Sequence, residues 1–359
     1  MEIGIVGLAN VGKSTLFNAL TQADVPALNY PFCTIEPNVG VAMIPDPRLL
    51  TVAEVVKPEK VTGSVIKFVD IAGLVRGASK GEGLGNQFLA QIREVDAIIH
   101  LIRAFSDPNV SSVEGDIDPV RDLEIVETEL MLADLQTLEN RMEKVSRMLK
   151  TGDKKYREQL SALEEAHRCL NEGRIGALDP EKLPPDLRLL STKPVVYVLN
   201  VDEDQLSDQG AIASLEAVQA KAAARNSEVI ILCAAVEGEL AQLDPDEAQE
   251  YLQEFGLDEP GLSRIIKAGY RLLDLVTFYT IKGVETRSWL VPRGTLAPKA
   301  AGKVHSDLER GFIKAEVVAA DKLIASGSFA KAKEQGAVRL EGKEYEVQDG
   351  DVILFRFNV

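Results

Sequence analysis

Short runs rich in β-branched residues recur along the chain at residues 3–6, 39–44, 65–70, 97–102, 195–200 and 229–233. Helix-like or loop segments separate several of them, and this alternation predicts a mostly parallel sheet with helices on both faces. Between the fourth and fifth runs the period changes. Leu138, Met142, Val145 and Leu149 follow Leu135 in steps of three and four, and after Thr151-Gly152-Asp153 a second series runs Tyr156, Leu160, Leu163, His167, Leu170. That spacing predicts two antiparallel helices in a coiled-coil hairpin. Pro180, Pro184, Pro185 and Pro194 then predict an extended path back to the sheet. After Leu275 the pattern turns to short strands and glycine turns, which suits a small mixed α+β module. The expected division is therefore a sheet domain in two parts, 1–118 and 195–275, a helical insertion at 119–194, and a C-terminal module at 276–359.

A chain of 359 residues with 45% hydrophobic and 27% charged side chains has the composition of an ordinary soluble globular protein. No uninterrupted apolar run approaches the roughly 20 residues of a bilayer span, and the first residues form a strand rather than a charged leader, so the expectation is a cytoplasmic protein without membrane contact. Cys33, Cys169 and Cys233 are widely spaced and form no CxxC, which indicates reduced thiols rather than a disulfide framework or a zinc site. The net charge of −16 is unevenly placed: residues 276–359 carry 13 Lys and Arg against 11 Asp and Glu, whereas the rest carries 27 against 45. A mildly basic tail on an acidic body is compatible with RNA contact at one end only. Residues 141–157 add a second basic cluster, with Arg141, Lys144, Arg147, Lys150, Lys154, Lys155 and Arg157 against Glu143 and Asp153. Such a cluster serves an RNA or acidic partner, or is simply a solvated helix face.

The densest chemistry lies at the N-terminus. Gly7-Leu-Ala-Asn-Val-Gly12-Lys13-Ser14 matches G-x-x-x-x-G-K-[ST] after a strand and before the helical run from Thr15. In that setting the glycines let backbone amides wrap the phosphates, the following helix N-terminus favours anions, Lys13 reaches the outer phosphates, and the Ser14 hydroxyl ligates Mg²⁺. Asp70-Ile-Ala-Gly73 ends the third run, where Asp70 can hold Mg²⁺ through water and the Gly73 amide can bond the γ-phosphate. Thr34 is placed where a switch threonine would complete the metal shell. Ras-like enzymes put a water-orienting Gln after this DxxG, but Leu74 can neither donate nor accept a hydrogen bond, so unaided hydrolysis should be slow. Asn10 sits where some P-loop enzymes help hold K⁺ beside the phosphates, which makes K⁺ a second candidate cofactor; tolerance of the loop backbone is the alternative. His100, in an apolar strand, and His167, in the hairpin seam, read as structural.

Asn200-Val201-Asp202-Glu203 stands where the guanine-reading tetrad Asn-Lys-x-Asp is expected. An Asp carboxylate there accepts from N1–H and the amine of guanine, whereas adenine presents an acceptor at N1. Glu203 displaces that carboxylate by a methylene and Val201 removes the Lys, while an Asn amide can pair with the N6/N7 edge of adenine. ATP is thus expected in preference to GTP.

With these motifs and the glycine run 77–85 in order, the whole chain resembles the YchF/Obg-like ATPase family. The resemblance implies a P-loop NTPase of Ras-like α/β fold, the inserted hairpin, and a C-terminal β-grasp TGS domain matched by Ala297-Pro-Lys-Ala-Ala-Gly-Lys-Val-His305 and Gly311-Phe-Ile-Lys-Ala-Glu-Val. It implies phosphate contacts from Asn10 to Thr15, Mg²⁺ on Ser14 and Thr34, base-flanking contacts from Asn200 and Val201, and ribosome and stress-response association. Leu74 in place of Gln is a family trait. A histidine found in many relatives falls on Ser112, so its catalytic role does not carry over. The leading expectation is a slow Mg²⁺-dependent ATPase acting as a nucleotide-controlled switch, with Lys13, Gly73 and Leu74 at the reaction centre and ribosome or RNA contact through the TGS domain or hairpin tip. The alternatives are an adenine-nucleotide-sensing ribosome-binding module with incidental hydrolysis, and an Obg-type GTPase.

Overall fold

The computed structural model describes residues 1–22, 38–73, 84–110, 115–149, 153–212 and 214–358. Thr34, Leu74, Ser112 and most of the glycine run fall outside the described residues. The strands in chain order are β1 (Glu2–Val6), β2 (Val39–Met43), β3 (Lys60–Thr62), β4 (Val65–Asp70), β5 (Ala97–Arg103), β6 (Val195–Asn200), β7 (Val229–Leu232), β8 (Leu275–Lys282), β9 (Glu285–Pro292), β10 (Phe312–Ala319), β11 (Arg339–Glu341) and β12 (Asp351–Phe357). They form two sheets in two compact units, residues 1–42 with 67–269 and residues 43–66 with 270–359.

The first sheet has the order β2-β4-β1-β5-β6-β7 and contains all six strands expected from the sequence. The pairings of β1 with β4 and β5, of β5 with β6, and of β6 with β7 are parallel. Every residue of β5 and β6 is buried, as a parallel sheet covered on both faces requires.

The helix Pro119–Met148 begins on an Asp118 cap whose carboxylate accepts from the Val120 and Arg121 amides. Its first half buries Leu123, Val126 and Leu130, and the helix packs against β5 and the helix Leu215–Ala224. Its second half packs Leu138 and Val145 against Leu163, Ala166 and Leu170 of Lys154–Asn171, so the expected hairpin is present and grows out of a helix that also covers the sheet. The return path differs from the extended one expected. It contains 3₁₀ turns at Ile175–Ala177 and Pro180–Lys182, and Leu183 and Leu189 join the hairpin core. Buried Asp134 accepts from the Leu190 and Ser191 amides and the Ser191 hydroxyl. These bonds supply partners that an extended strand would have found in a sheet.

The second sheet has the order β11-β10-β12-β8-β9-β3, antiparallel except where β12 meets β8 and β3 meets β9. Period-two alternation divides its side chains between two faces. Phe278, Val317 and Ile353 pack with Ala297, Ala300 and Ala301, whereas their neighbours Tyr279, Val318 and Val352 pack with Leu49, Val52 and Leu323. The helix Pro47–Val56 and β3, which lie between β2 and β4 in the chain, therefore pack with this unit, whereas the sequence reading placed them in the sheet domain. The helix Pro47–Val56 starts on Asp46, whose carboxylate also accepts from Tyr279 at 2.7 Å, and Arg48 bonds Asp349 at 2.6 Å. Its apolar stripe covers a face that 276–359 alone would leave to solvent.

Candidate functional site

In the first unit the loops after β1, β4, β5, β6 and β7 all open at the carboxyl ends of parallel strands, where α/β sheets place their ligands. They surround a cleft of about 900 Å³. The segment after β1 owes its path to local backbone needs. A Cβ on Gly7 would lie 2.6 Å from the Leu101 carbonyl oxygen, and one on Gly12 would collide with the Asn200 amide. Asn10 at φ 64° and Gly12 at φ 91° adopt the left-handed region, which Asn and Gly tolerate best. The chain then enters the helix Lys13–Gln22 through a bond from the Leu16 amide to the Gly12 carbonyl. The amides at that helix start favour an anion.

Asn10, Gly12, Lys13, Ser14 and Thr15 line the cleft, as does Gly73 beyond β4. Val11 does not line it; its side chain is buried and its carbonyl accepts from Asn200. Lys13 donates to Asp70 in a half-buried ion pair, and Asp70 is fixed by its own amide bonding the Asn38 carbonyl at 2.8 Å. Gly73 lies against the P-loop, its Cβ position 3.6 Å from the Ala9 amide nitrogen and Cα. The structure thus brings Lys13, Ser14, Asp70 and Gly73 to one end of the cleft.

Asn200, Val201 and Glu203 also line the cleft. Asn200 is buried, with Nδ2 donating to the Val11 carbonyl at 3.0 Å and Oδ1 accepting from the Ala234 amide at 2.9 Å. It ties the P-loop to the segment after β7, and by the count of amide bonding sites it keeps one N–H and one lone pair. Val201 is buried and donates its amide to the Leu232 carbonyl. Asp202 caps the short helix Glu203–Ser207 and accepts from the Ser106 amide at 2.9 Å. Glu203 itself is exposed.

Two further segments line the cleft that sequence reasoning missed: Phe105, Ser106, Asp107, Pro108 and Val110 after β5, and Cys233, Ala234 and Ala235 after β7. Neither carries a motif; their only signal is position at the end of a parallel strand. Burial pushes the Cys233 thiol above its ordinary range, which keeps it protonated and unreactive. His100 is structural, as read: it is buried with its ring 5.6 Å from that of Tyr197. Among the described residues there is no cluster of three or more His, Cys, Asp or Glu able to hold a metal, and no helix is long and apolar enough to cross a membrane.

Comparison with known proteins agrees with this arrangement. Residues 2–140 match the family model of the 50S ribosome-binding GTPase, and residues 275–358 match YchF-GTPase_C, described as a protein of unknown function. The chain is 52% identical to the ribosome-binding ATPase YchF of Bacillus subtilis, with all of both chains covered. It is 50% identical to the protein of that name from Escherichia coli O157:H7, covering 100% of this chain and 99% of the other. The solved structure of the Schizosaccharomyces pombe YchF GTPase superposes with a TM-score of 0.86 at 31% identity, covering 99% of this chain and 97% of that one. With the P-loop cleft and full-length likeness in agreement, this chain belongs to the YchF family of P-loop nucleotide hydrolases.

Proposed function

We propose that the protein is a Mg²⁺-dependent nucleotidase that takes ATP in preference to GTP and acts as a nucleotide-controlled switch at the ribosome. The names of relatives divide between ATPase and GTPase, so the choice of base rests on the cleft. The observation that carries it is the rim formed by Val201 and Glu203: a buried aliphatic side chain stands in place of Lys, and the only tetrad carboxylate at the fourth position is on an exposed Glu. Asp202 also lines the cleft but its carboxylate is engaged by the Ser106 amide. Without a fixed carboxylate at the fourth position the site lacks the acceptor that guanine N1–H and its amine demand, and a base whose donors go unpaired is rejected. Asn200 keeps one donor and one acceptor, the complement of the adenine N6/N7 edge.

In this reading Lys13 and the Gly73 amide bond the outer phosphates. Ser14 and Asp70 offer the hard oxygen donors that Mg²⁺ selects. Mg²⁺ held by them would supply positive charge against the phosphates. A triphosphate would draw Lys13 away from Asp70 and free that carboxylate for the metal shell.

For ribosome contact, the hairpin tip and the C-terminal unit both offer exposed basic side chains, and the tip is the surface taken for the test. In the C-terminal unit Arg293, Lys299 and Arg310 are matched by Asp274, Glu309 and Asp307, while Lys303, Lys314 and Lys322 are exposed without an ion pair to a described residue. At the tip Arg141 is held by Asp186 and Arg147 and Lys154 by helix neighbours, but Lys144, Lys155 and Arg157 are exposed without an ion pair to a described residue.

Titration with MgATP and MgGTP, in K⁺ and again in Na⁺, tests the base assignment and the cation together. Tighter GTP binding, or equal binding, refutes the assignment. Ribosome co-sedimentation of the Lys144→Ala, Lys155→Ala, Arg157→Ala triple variant tests the docking surface, and unchanged sedimentation refutes it.

A further inference from the structure

We propose that Arg103 is a positioning residue for nucleotide binding, fixing residues 104–110 as the wall of the cleft beyond the phosphates. The proposal rests on the cleft being the nucleotide site. Arg103 ends β5 at 4% exposure, and a guanidinium cannot shed its charge, so burial obliges it to find partners. Its Nε donates to the Phe105 carbonyl at 3.2 Å and its Nη2 to the Val110 carbonyl at 3.0 Å. The guanidinium carbon lies 4.4 Å from the centre of the Phe105 ring, within cation–π range. One side chain therefore holds both ends of the loop and the orientation of its aromatic ring.

From the opposite side, Asp202 takes the Ser106 amide, and the Ala104 amide bonds the Asn200 carbonyl at 2.8 Å. The loop is thus fixed to β6 by its early residues and to Arg103 along its length. The bonds to the segment after β6 give the wall its place along the ligand. The phosphate-facing residues follow β1 and β4, while the wall follows β5, between β1 and β6, and its Ala104 and Ser106 amides bond Asn200 and Asp202 at the end of β6, the base-flanking segment. It therefore meets the part of a nucleotide that a bare triphosphate lacks.

The experiment uses the full chain with Arg103→Ala, measuring calorimetric binding of MgATP and of Mg²⁺-tripolyphosphate together with steady-state kinetics. Loss of two charge-assisted bonds and a ring contact should weaken ATP binding and raise KM about tenfold, with kcat held within about twofold and tripolyphosphate binding unchanged. Arg103→Lys, which keeps the charge but not the fork, should fall between. Unchanged ATP affinity, or tripolyphosphate affinity falling in parallel, overturns the proposal. If Arg103→Ala does not fold, Asp202→Ser keeps a helix cap yet is too short to reach Ser106. That variant should weaken ATP about threefold and leave tripolyphosphate alone, and no change in ATP overturns the wall. Lys13→Ala separates the two levels of inference: it should weaken both ligands. If it weakens neither, the cleft is not the nucleotide site and the assignment of Arg103 fails with it; if it weakens both while Arg103→Ala weakens neither, only the wall fails.

Discussion

Replacing Asn200 by Ala removes one side chain and breaks two buried connections at once. Its amide bonds the Val11 carbonyl and the Ala234 amide at 3.0 and 2.9 Å, and Asn200 itself is 4% exposed. The variant leaves a carbonyl and an amide without partners where water has little access, each costing about 1–3 kcal/mol. Collapse of the neighbours recovers part of that, so a net loss of about 3 kcal/mol is expected, or about 6–12 °C in the melting of a unit this size. Calorimetry without nucleotide reads the loss directly, because the bonds join protein to protein. ATP and GTP affinities should then fall together, since the loosened P-loop serves both. Melting that stays within a degree or two, with a loss confined to ATP, would refute the tie and leave Asn200 as a reader of the base alone.

Other perturbations test the base rim and the packing around it. Val201→Lys with Glu203→Asp restores the guanine-reading groups and should move the ATP-to-GTP affinity ratio toward GTP by about tenfold or more; an unmoved ratio in competitive titration would place selectivity elsewhere. Burial lowers the His100 pKa to about 4, with Glu127 opposing and Arg225 reinforcing that shift, so the folded chain refuses a proton that the unfolded chain accepts below about pH 6.5. Stability is complete above pH 6.5 and lost as pH falls toward 4, by about 3 kcal/mol from this group. His100→Gln should flatten melting temperature against pH across that window, and parallel curves for the two proteins would contradict it. Gly261→Ala would put a Cβ 2.7 Å from Glu237 Oε1 and 2.8 Å from Leu232 Cβ, displacing the carboxylate that holds the Gly261 and Leu262 amides. It should cost about 1–3 kcal/mol in chemical denaturation, and a neutral result would mean the Gly261–Glu237 contact relaxes freely.

Much of the molecule was legible because its signals are local. β-Branched runs marked all six strands of the first sheet, and steps of three and four marked both arms of the hairpin. The P-loop and DxxG declared the phosphate end through residues whose roles depend on immediate neighbours: Gly7 and Gly12 for close approach, Lys13 and Ser14 for charge and oxygen. Asp46-Pro47 likewise announces a helix start, but nothing in those residues says which sheet that helix will cover. Its stripe of Leu49 and Val52 would suit either unit.

What the sequence determined by itself was the six strands of the first sheet, the two arms of the hairpin and the chemistry of the phosphate-binding segment, since these follow from side-chain period and backbone preference within a few residues. The tertiary structure alone decided that β3 and the helix Pro47–Val56 complete the C-terminal unit, that Asn200 is a tie between two loops, and that residues 104–110 and 233–235 wall the cleft. These depend on strand order, in which β1 lies between β4 and β5 and the ends of β5, β6 and β7 meet across more than a hundred residues of chain. Burial of apolar faces chooses that order over the whole unit at once, so no short segment records it.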